Sequence, residues 1–246
     1  HSFATLMNMN AARLGMTNTH YVDSTGLPKP GHYSTPHDIA KLTRAIINDF
    51  PQDYSWYKQK WISYNHIRQP NRNRLLWRDP SVDGLKTGHT QAAGYCLVAS
   101  AKRDGTRLIS VVMGTPTDSA RATDSEDLLN WGFRFYKTYQ LFTANTPLNS
   151  ARIWLAKNKK TPLGLSHDLY VTIPQGAYSQ LKANMTILPN IKAPITKGQQ
   201  YGQIIITLNN KTIDTAPLVA LANDPVGGVW SRFTDHIALF FTGDKA

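Results

Sequence analysis

The spacing of apolar residues changes at about Tyr139, and this change divides the chain into two parts. Before it, apolar residues recur at helical spacing in three segments, and two strand-like runs separate the second helix from the third. After it, short β-rich runs alternate with turn residues. The sequence therefore predicts an α+β domain over residues 1–138, a small all-β, β-sandwich-like domain over 139–226 and an amphipathic terminal helix over 227–246.

The first part is predicted to be an antiparallel sheet covered by helices. Gly15 ends the first predicted helix, and Thr35 with Pro36 begins the second as N-cap and first helical residue. Runs 94–102 and 107–114 flank Asp104-Gly105, a strong hairpin signal. The third helix is predicted over 118–136. The predicted apolar faces are Phe3, Leu6, Met7, Ala11 and Leu14 in the first helix, Ile39, Leu42, Ile46 and Ile47 in the second, and Leu128, Leu129, Gly132, Phe133 and Tyr136 in the third.

The second part contains five predicted strands, and the chain ends in a predicted amphipathic helix. The strands are predicted over residues 152–155, 169–173, 181–188, 203–208 and 212–221. In the helix, one face carries Trp230, Phe233, Ile237, Phe240 and Phe241, and the opposite face carries Arg232, Asp235 and His236. The apolar face suits a membrane interface, or it packs on the second domain or a partner. The pattern alone leaves these alternatives open.

Composition excludes several function classes. The net charge of +11 would suit nucleic acid, but the basic residues are scattered and no nucleic-acid motif accompanies them. The one cysteine, Cys96, rules out an internal disulfide framework and a multi-cysteine metal site, and fits a buried strand residue. His32 and His37 form only a weak metal pair. We therefore expect no metal, no cofactor and no nucleic-acid partner.

Lys86-Thr87-Gly88, here called the Lys-Thr-Gly motif, directly precedes the predicted hairpin. An ammonium and a hydroxyl in a row can hold the anionic end of a substrate, and a glycine lets another backbone lie close. The backbone N–H that follows, at His89, can enter an oxyanion hole. The alternative is a solvated turn at the start of a strand. Placement beside a hairpin favours the binding role.

Long ordered blocks of the chain resemble one family. The motif is similar to the third signature of the penicillin-recognising serine enzymes. The whole chain resembles the low-molecular-mass penicillin-binding proteins, specifically the serine-type D-alanyl-D-alanine carboxypeptidases of the penicillin-binding protein 5 and 6 group. The resemblance implies part of a serine β-lactamase-like α/β domain followed by a small all-β domain. The matching blocks are residues 6–8, 14–20, 69–77, 82–90 and 128–135.

The resemblance also implies roles for individual residues. Lys86 and Thr87, with Gly88 beside them, would bind the carboxylate of the terminal D-alanine, and Lys86 would also belong to the catalytic set. The backbone N–H of His89 would be an oxyanion donor. Arg72 matches a family arginine near the site.

Arg121 matches a family arginine that also grips the substrate carboxylate. A guanidinium can bind a carboxylate through two parallel hydrogen bonds, so the role is physically reasonable. The alternative is an ion pair on the helix surface, with Asp118 or Asp124 as partner.

The family's nucleophile motif does not align with this chain. The family needs a Ser-x-x-Lys, whose serine attacks the peptide carbonyl, and a Ser-x-Asn that completes the pocket. Three strings have this spacing, Ser55–Lys58, Ser179–Lys182 and Ser63–Asn65, but the family sets both motifs far upstream of Lys-Thr-Gly. We therefore expect the sequence to begin shortly after the Ser-x-Asn motif, with the nucleophile in a missing N-terminal portion.

The expected activity is removal of the terminal D-alanine from peptidoglycan pentapeptide through an acyl-enzyme, with β-lactams acylating the same serine. A non-catalytic peptidoglycan-binding or scaffold protein and a DD-endopeptidase remain as alternatives. The expected location is the periplasm, with peripheral attachment to the inner membrane through the C-terminal helix, which the positive charge would assist on anionic lipid.

Overall fold

A computed structural model of the chain describes residues 2–242 and divides into two compact units, residues 1–136 and 137–246. In the first unit the helices are α1 (Ser2–Arg13), α2 (Pro36–Asp49), α3 (Pro51–Tyr54), α4 (Leu75–Arg78) and α5 (Asp118–Phe135). Its strands are β1 (Trp61–Tyr64), β2 (Ile67–Pro70), β3 (Val82–Thr90), β4 (Gly94–Arg103) and β5 (Thr106–Thr115).

An antiparallel sheet with strand order β3-β4-β5 forms the centre of this unit, which confirms the predicted sheet and hairpin. Asp104 and Gly105 make the β4–β5 turn with φ of 46° and 81°, as an Asp-Gly pair allows. Helix α5 packs on β4 and β5, and Gly132 lies close to the Leu108 side chain, since a Cβ there would lie 2.6 Å from Leu108 Cδ1. The core residues are Leu75, Leu76, Val82, Leu97, Ala99, Ala101, Ala122 and Leu129.

Asp38 fixes the loop between α1 and α2. The Thr35 hydroxyl accepts the Asp38 N–H at 3.2 Å, so Thr35 is the N-cap that the sequence predicts. The buried Asp38 carboxylate accepts the Asn18 N–H at 2.8 Å and the Thr19 hydroxyl at 2.9 Å. Burial alone would raise the pKa of this carboxyl, but these hydrogen bonds and the Lys41 ammonium lower the pKa by more, so Asp38 stays ionised.

The strands that follow α5 form two sheets around one core. They are β6 (Tyr136–Phe142), β7 (Asn149–Arg152), β8 (Lys160–Gly164), β9 (Leu169–Pro174), β10 (Leu181–Ile187), β11 (Gln200–Leu208) and β12 (Lys211–Ala220). One sheet has the order β10-β11-β12-β8-β7 and the other pairs β6 with β9. Leu169, Val171 and Ile173 alternate inward along β9 and share a buried cluster with Ile204 and Ile206 of β11.

The terminal helix α6 (Val229–Thr242) attaches to the second unit through its polar side. Asp235 is only 2% exposed and accepts the Leu155 N–H at 2.8 Å and the Lys159 ammonium at 2.7 Å. The Ser231 hydroxyl donates to the Ala156 carbonyl at 3.2 Å. These hydrogen bonds offset the cost of burying the Asp235 carboxylate, so a charged residue can hold α6 on the second unit.

The apolar side of α6 faces outward. Trp230 is 82% exposed, and Phe233 and Ile237 are about half exposed. Packing of this face on the second domain, one of the predicted alternatives, is therefore not observed; the side chains of Phe240 and Phe241 lie outside the described residues. No helix among residues 2–242 is both long enough and apolar enough to cross a bilayer.

Several sequence predictions of local structure are wrong. Strands β1, β2, β6 and β8 are missed, and the strand predicted over 152–155 is displaced, since β7 ends at Arg152. The β1–β2 turn uses Asn65 and His66 with φ of 47° and 61°, so the usual glycine signal is absent. Leu128, predicted on the buried face of the third helix, is exposed in the described structure.

Candidate active site

The Lys-Thr-Gly motif lies on β3, at the edge of the described sheet. β3 pairs with β4 so that Lys86 lies opposite Val98, Thr87 opposite Leu97 and Gly88 opposite Cys96. Leu85 is buried, whereas Lys86, Gly88 and His89 are exposed. An edge strand presents backbone N–H and C=O groups that an extended peptide can pair with. The motif is therefore presented where a peptide end can reach it.

Two glycines shape the β3–β4 hairpin in different ways. Gly94, at the start of β4, has φ of +64°, and a Cβ there would lie 2.9 Å from the Thr115 carbonyl oxygen. Only a glycine fits that position without strain. At Gly88 an added Cβ would meet, among the described residues, only the Cys96 Cβ at 3.9 Å. The chain's own backbone does not crowd Gly88, so the space beside it is open to a substrate.

Arg121, in the first turn of α5, reaches the strand that carries the motif. The residue is only 5% exposed, and its Nη1 donates to the Gly88 carbonyl at 3.1 Å. Its Nη2 donates to the Asp118 carboxylate, and the guanidinium lies 5.4 Å from the centre of the Tyr95 ring. Helix α5 and strand β3 are thus joined at the motif. The predicted ion pair of Arg121 forms with Asp118 rather than Asp124.

Asp118 also binds a second arginine, Arg74, whereas the sequence indicates Arg72 near the site. Arg74 Nε lies 2.5 Å from an Asp118 oxygen, so the carboxylate binds Arg74 and Arg121 together. Arg72 is exposed and has no side-chain partner among residues 2–242. Both arginines belong to the same resembling block, so the pattern alone does not distinguish them.

His89 and Tyr95 lie opposite each other on β3 and β4. Their rings stack with centres 3.8 Å apart, and Tyr95 also lies under the Arg121 guanidinium. This aromatic contact fixes the end of β3 just after the motif. The role of the His89 backbone N–H as an oxyanion donor stays a prediction. Tyr95 was not singled out from the sequence, because a tyrosine beside a glycine reads as an ordinary strand residue.

Lys86 lines an open groove of about 670 Å³. Its ammonium donates to the Thr87 carbonyl at 2.6 Å and stays exposed to solvent. Apolar and aromatic side chains form most of the groove, so a cation at its margin can select an anionic group. The other lining residues are Ile46, Phe50, Asp53, Trp56, Tyr57, Gln59, Ile62, Asn71 and Leu85.

A polar cluster that sequence reasoning missed lies at the base of β3. Arg107 binds the Asp83 carboxylate through two hydrogen bonds of 2.8 and 2.7 Å, and the Tyr54 hydroxyl donates to the same carboxylate at 2.6 Å. Burial, reinforced by this hydrogen bond, raises the pKa of Tyr54 well above its ordinary value. The three residues are far apart in sequence, so no local spacing indicates them.

The serine strings are dispersed. Ser55 begins a 3₁₀ turn after α3, Ser63 lies in β1, and Ser179 lies in a 3₁₀ turn of the second unit. Within residues 2–242, neither Ser55 nor Ser179 hydrogen-bonds to the lysine three residues later. The 3₁₀ turn that begins at Ser55 does pack on β3, but within residues 2–242 no hydrogen bond joins any of the three serines to the Lys-Thr-Gly motif.

Comparison with known proteins agrees with this geometry. Residues 1–117 match the family described as D-alanyl-D-alanine carboxypeptidase, and residues 136–225 match the C-terminal domain of penicillin-binding protein 5. The crystal structure of the D-alanyl-D-alanine carboxypeptidase DacD from Francisella tularensis is 33% identical and superposes with a TM-score of 0.62, covering 91% of this chain and 68% of that one. The chain belongs to the D-alanyl-D-alanine carboxypeptidase family.

Comparison with two further members of the family shows what share of a relative's length the chain covers. It is 44% identical to the D-alanyl-D-alanine carboxypeptidase DacC of Escherichia coli, over 98% of this chain and 60% of the relative. Penicillin-binding protein 5 from Haemophilus influenzae superposes with a TM-score of 0.80 at 39% identity, over 91% of this chain and 66% of that one. The chain thus spans about 60% of the length of such sequence relatives. The expected fold, an α/β domain followed by an all-β domain, is confirmed.

Proposed function

We propose that the whole protein, meaning this chain with any residues that flank it, is a serine-type D-alanyl-D-alanine carboxypeptidase. It would remove the terminal D-alanine of peptidoglycan pentapeptide through an acyl-enzyme, and β-lactams would acylate the same serine. The chain itself supplies the groups that hold the substrate's carboxylate end. The attacking serine and its lysine are proposed to belong to a part of the whole protein that this chain, which spans about 60% of the length of its relatives, does not cover.

The observation that carries this proposal is the meeting of the Lys-Thr-Gly motif with Arg121. Two cationic side chains and one hydroxyl come from β3 and α5, and the contact of Arg121 with the Gly88 carbonyl joins these elements. Such a set can bind a carboxylate by charge and by directed hydrogen bonds. Arg121 would keep its link to Asp118 and offer its remaining N–H groups to the substrate.

The test measures D-alanine release from a pentapeptide, and labelling by a fluorescent penicillin, with the whole protein and two variants. Lys86→Ala removes the proposed carboxylate partner, whereas Lys102→Ala removes an exposed lysine on β4 of the same sheet. Losing a charge-assisted hydrogen bond predicts a kcat/KM about 10- to 150-fold lower for Lys86→Ala only.

Other outcomes identify the alternatives. Whole protein that neither releases D-alanine nor labels with penicillin would contradict the proposal and favour a non-catalytic peptidoglycan-binding or scaffold protein. Release of product only from cross-linked peptides would indicate a DD-endopeptidase. Equal losses in Lys86→Ala and Lys102→Ala would contradict the role given to the motif.

We further propose that the protein is periplasmic and attaches peripherally to the inner membrane through α6. The support is the orientation of the helix: buried Asp235 anchors its polar side, and Trp230 and Phe233 project outward. A soluble surface normally has the opposite arrangement, and an outward aromatic face suits a lipid interface. The basic residues Lys157, Lys159, Lys160 and Arg232 are exposed on this unit and would favour anionic lipid.

The attachment is tested by sedimentation with vesicles of anionic or zwitterionic phospholipid. Replacing Trp230 and Phe233 together by serine removes two aromatic anchors, which predicts at least about a 100-fold weaker partition. Trp131→Ser in α5 is the matched control, since Trp131 is also more than half exposed. Unchanged sedimentation of the double variant, or equal weakening by Trp131→Ser, would contradict the proposal.

A further inference from the structure

The polar cluster at the base of β3, here called the Asp83 anchor and formed by Asp83, Arg107 and Tyr54, connects three separate elements. Asp83 lies on β3, Arg107 on β5 and Tyr54 at the end of α3. Besides binding Asp83, Arg107 donates to the Ser100 hydroxyl of β4 at 2.7 Å. The carboxylate is therefore held by an arginine of β5, which also contacts β4, and by a tyrosine of a helix. An arginine fork bound to a carboxylate fixes orientation as well as distance.

The anchor is at an irregular position of the strand. Val82 pairs with Ala101 and Gly84 pairs with Ser100, so Asp83 is an extra residue with no partner opposite it. An extra residue on one strand bends that strand and re-aims the side chains that follow. Lys86 is three residues further along. The direction in which β3 leaves this bulge therefore sets where Lys86 and Thr87 lie.

The backbone after Asp83 is also held closely. A Cβ on Gly84 would lie 2.6 Å from the Tyr54 hydroxyl, so only a glycine permits the contact between Tyr54 and the strand. On the other side, the fully buried Asn73 donates through Nδ2 to the Gly84 carbonyl at 2.9 Å. The bulge is thus fixed by side chains on its carboxylate and on its backbone.

We propose that Asp83, Arg107 and Tyr54 are positioning residues that aim Lys86 and Thr87 at the carboxylate of the substrate. This inference rests on the proposed carboxypeptidase function. The anchor does not touch the substrate; it acts through the direction of β3. Loosening it weakens the grip on a terminal carboxylate more than it weakens reaction with a substrate that lacks one.

The experiment compares kcat/KM of the whole protein for a peptide ending in D-Ala-D-Ala with that for its C-terminal amide. Arg107→Met keeps the apolar stem and removes the fork. Arg103→Met is the matched control, because Arg103 is also on the β4–β5 hairpin and binds Asp79 at 2.6 Å. In Arg107→Met we expect the ratio of kcat/KM for the carboxylate peptide to kcat/KM for the amide to fall about 10-fold or more, because the charge-assisted hydrogen bond to the substrate carboxylate is lost. In Arg103→Met the same ratio should stay within about two-fold of the wild-type ratio.

Two further variants make the result specific. In a Lys86→Ala background, Arg107→Met should lower the ratio by less than it does in the wild type, because only Thr87 is left for the anchor to position. If Arg107→Met does not fold, Tyr54→Phe removes only a hydroxyl and should lower the ratio about two- to ten-fold.

The outcomes separate this inference from the proposed function. A wild-type protein that releases no D-alanine would overturn the carboxypeptidase proposal and this inference with it. An active wild type whose ratio is unchanged in Arg107→Met and in Tyr54→Phe would overturn the positioning role alone. Equal losses on both substrates would mean that the anchor only stabilises the fold.

Discussion

Replacing Gly94, at the turn between β3 and β4, by alanine should lower the free energy of unfolding, and the structure gives the magnitude. In Gly94→Ala the residue must keep φ near +64°, which costs an L-residue about 1–2 kcal/mol. The new Cβ would also lie 2.9 Å from the Thr115 oxygen and 3.0 Å from the Gly114 backbone. Backbone atoms cannot move aside cheaply, so overpacking adds about 1–3 kcal/mol. The expected loss is about 2–5 kcal/mol in the free energy of unfolding.

The matched control is Gly105→Ala in the neighbouring β4–β5 turn. Gly105 has φ of +81° but nothing within 4 Å of an added Cβ, so only the conformational cost of about 1–2 kcal/mol applies. Urea unfolding followed by tryptophan fluorescence measures both variants. Equal losses in the two variants would refute the steric part of the reasoning. No loss in either would refute the assigned backbone conformations.

Three further predictions follow from the site and the second unit. Arg121→Ala should raise KM for D-alanine release about ten-fold or more, because a charge-assisted contact is lost, whereas Arg72→Ala should change KM less than about two-fold; the reverse ranking would contradict the assignment. Asp235 has a pKa below its ordinary 3.8, because hydrogen bonds from Lys159 and Leu155 outweigh the effect of burial. Its ionised form stabilises the attachment of α6 above that ordinary value, and this is lost as the pH falls through the lowered pKa. The protection of the α6 amides against hydrogen exchange, relative to their intrinsic rates at each pH, should therefore be constant from about pH 7 to 4.5, and a decrease within that window would contradict it. Gly132→Ala should change the free energy of unfolding by less than about 1 kcal/mol, since its Cβ would meet only the flexible end of Leu108 and alanine favours the helix; a larger loss in thermal unfolding would show that Leu108 cannot turn aside.

Local sequence signals predicted much of the fold. The Asp104-Gly105 turn and the Thr35 N-cap are formed as the sequence predicts, because each depends on the conformational preference of one or two residues. The β1–β2 hairpin was missed since Asn65 and His66 supply the positive φ without a glycine. Strands β6 and β8 lacked a clear alternation and depend on their partners in the sheets.

The site was predictable where its residues are adjacent in sequence or where the family resemblance indicated them. The Lys-Thr-Gly motif is contiguous, and resemblance indicated Arg121, which the structure brings to the Gly88 carbonyl. The Asp83 anchor joins residues separated by as much as 53 positions, so its members carry no common local pattern. The periodicity predicted the apolar face of α6 but not whether that face is outward, and the attachment of the helix through Asp235 depends on tertiary partners that no spacing reveals.

The role of the Lys-Thr-Gly motif is tested by a crystal structure of the whole protein with a peptide substrate or product bound. We expect the carboxylate of the bound D-Ala-D-Ala to lie within about 3.2 Å of the Thr87 hydroxyl and of a Lys86 or Arg121 nitrogen. A carboxylate held at Arg72, or away from β3 altogether, would contradict it.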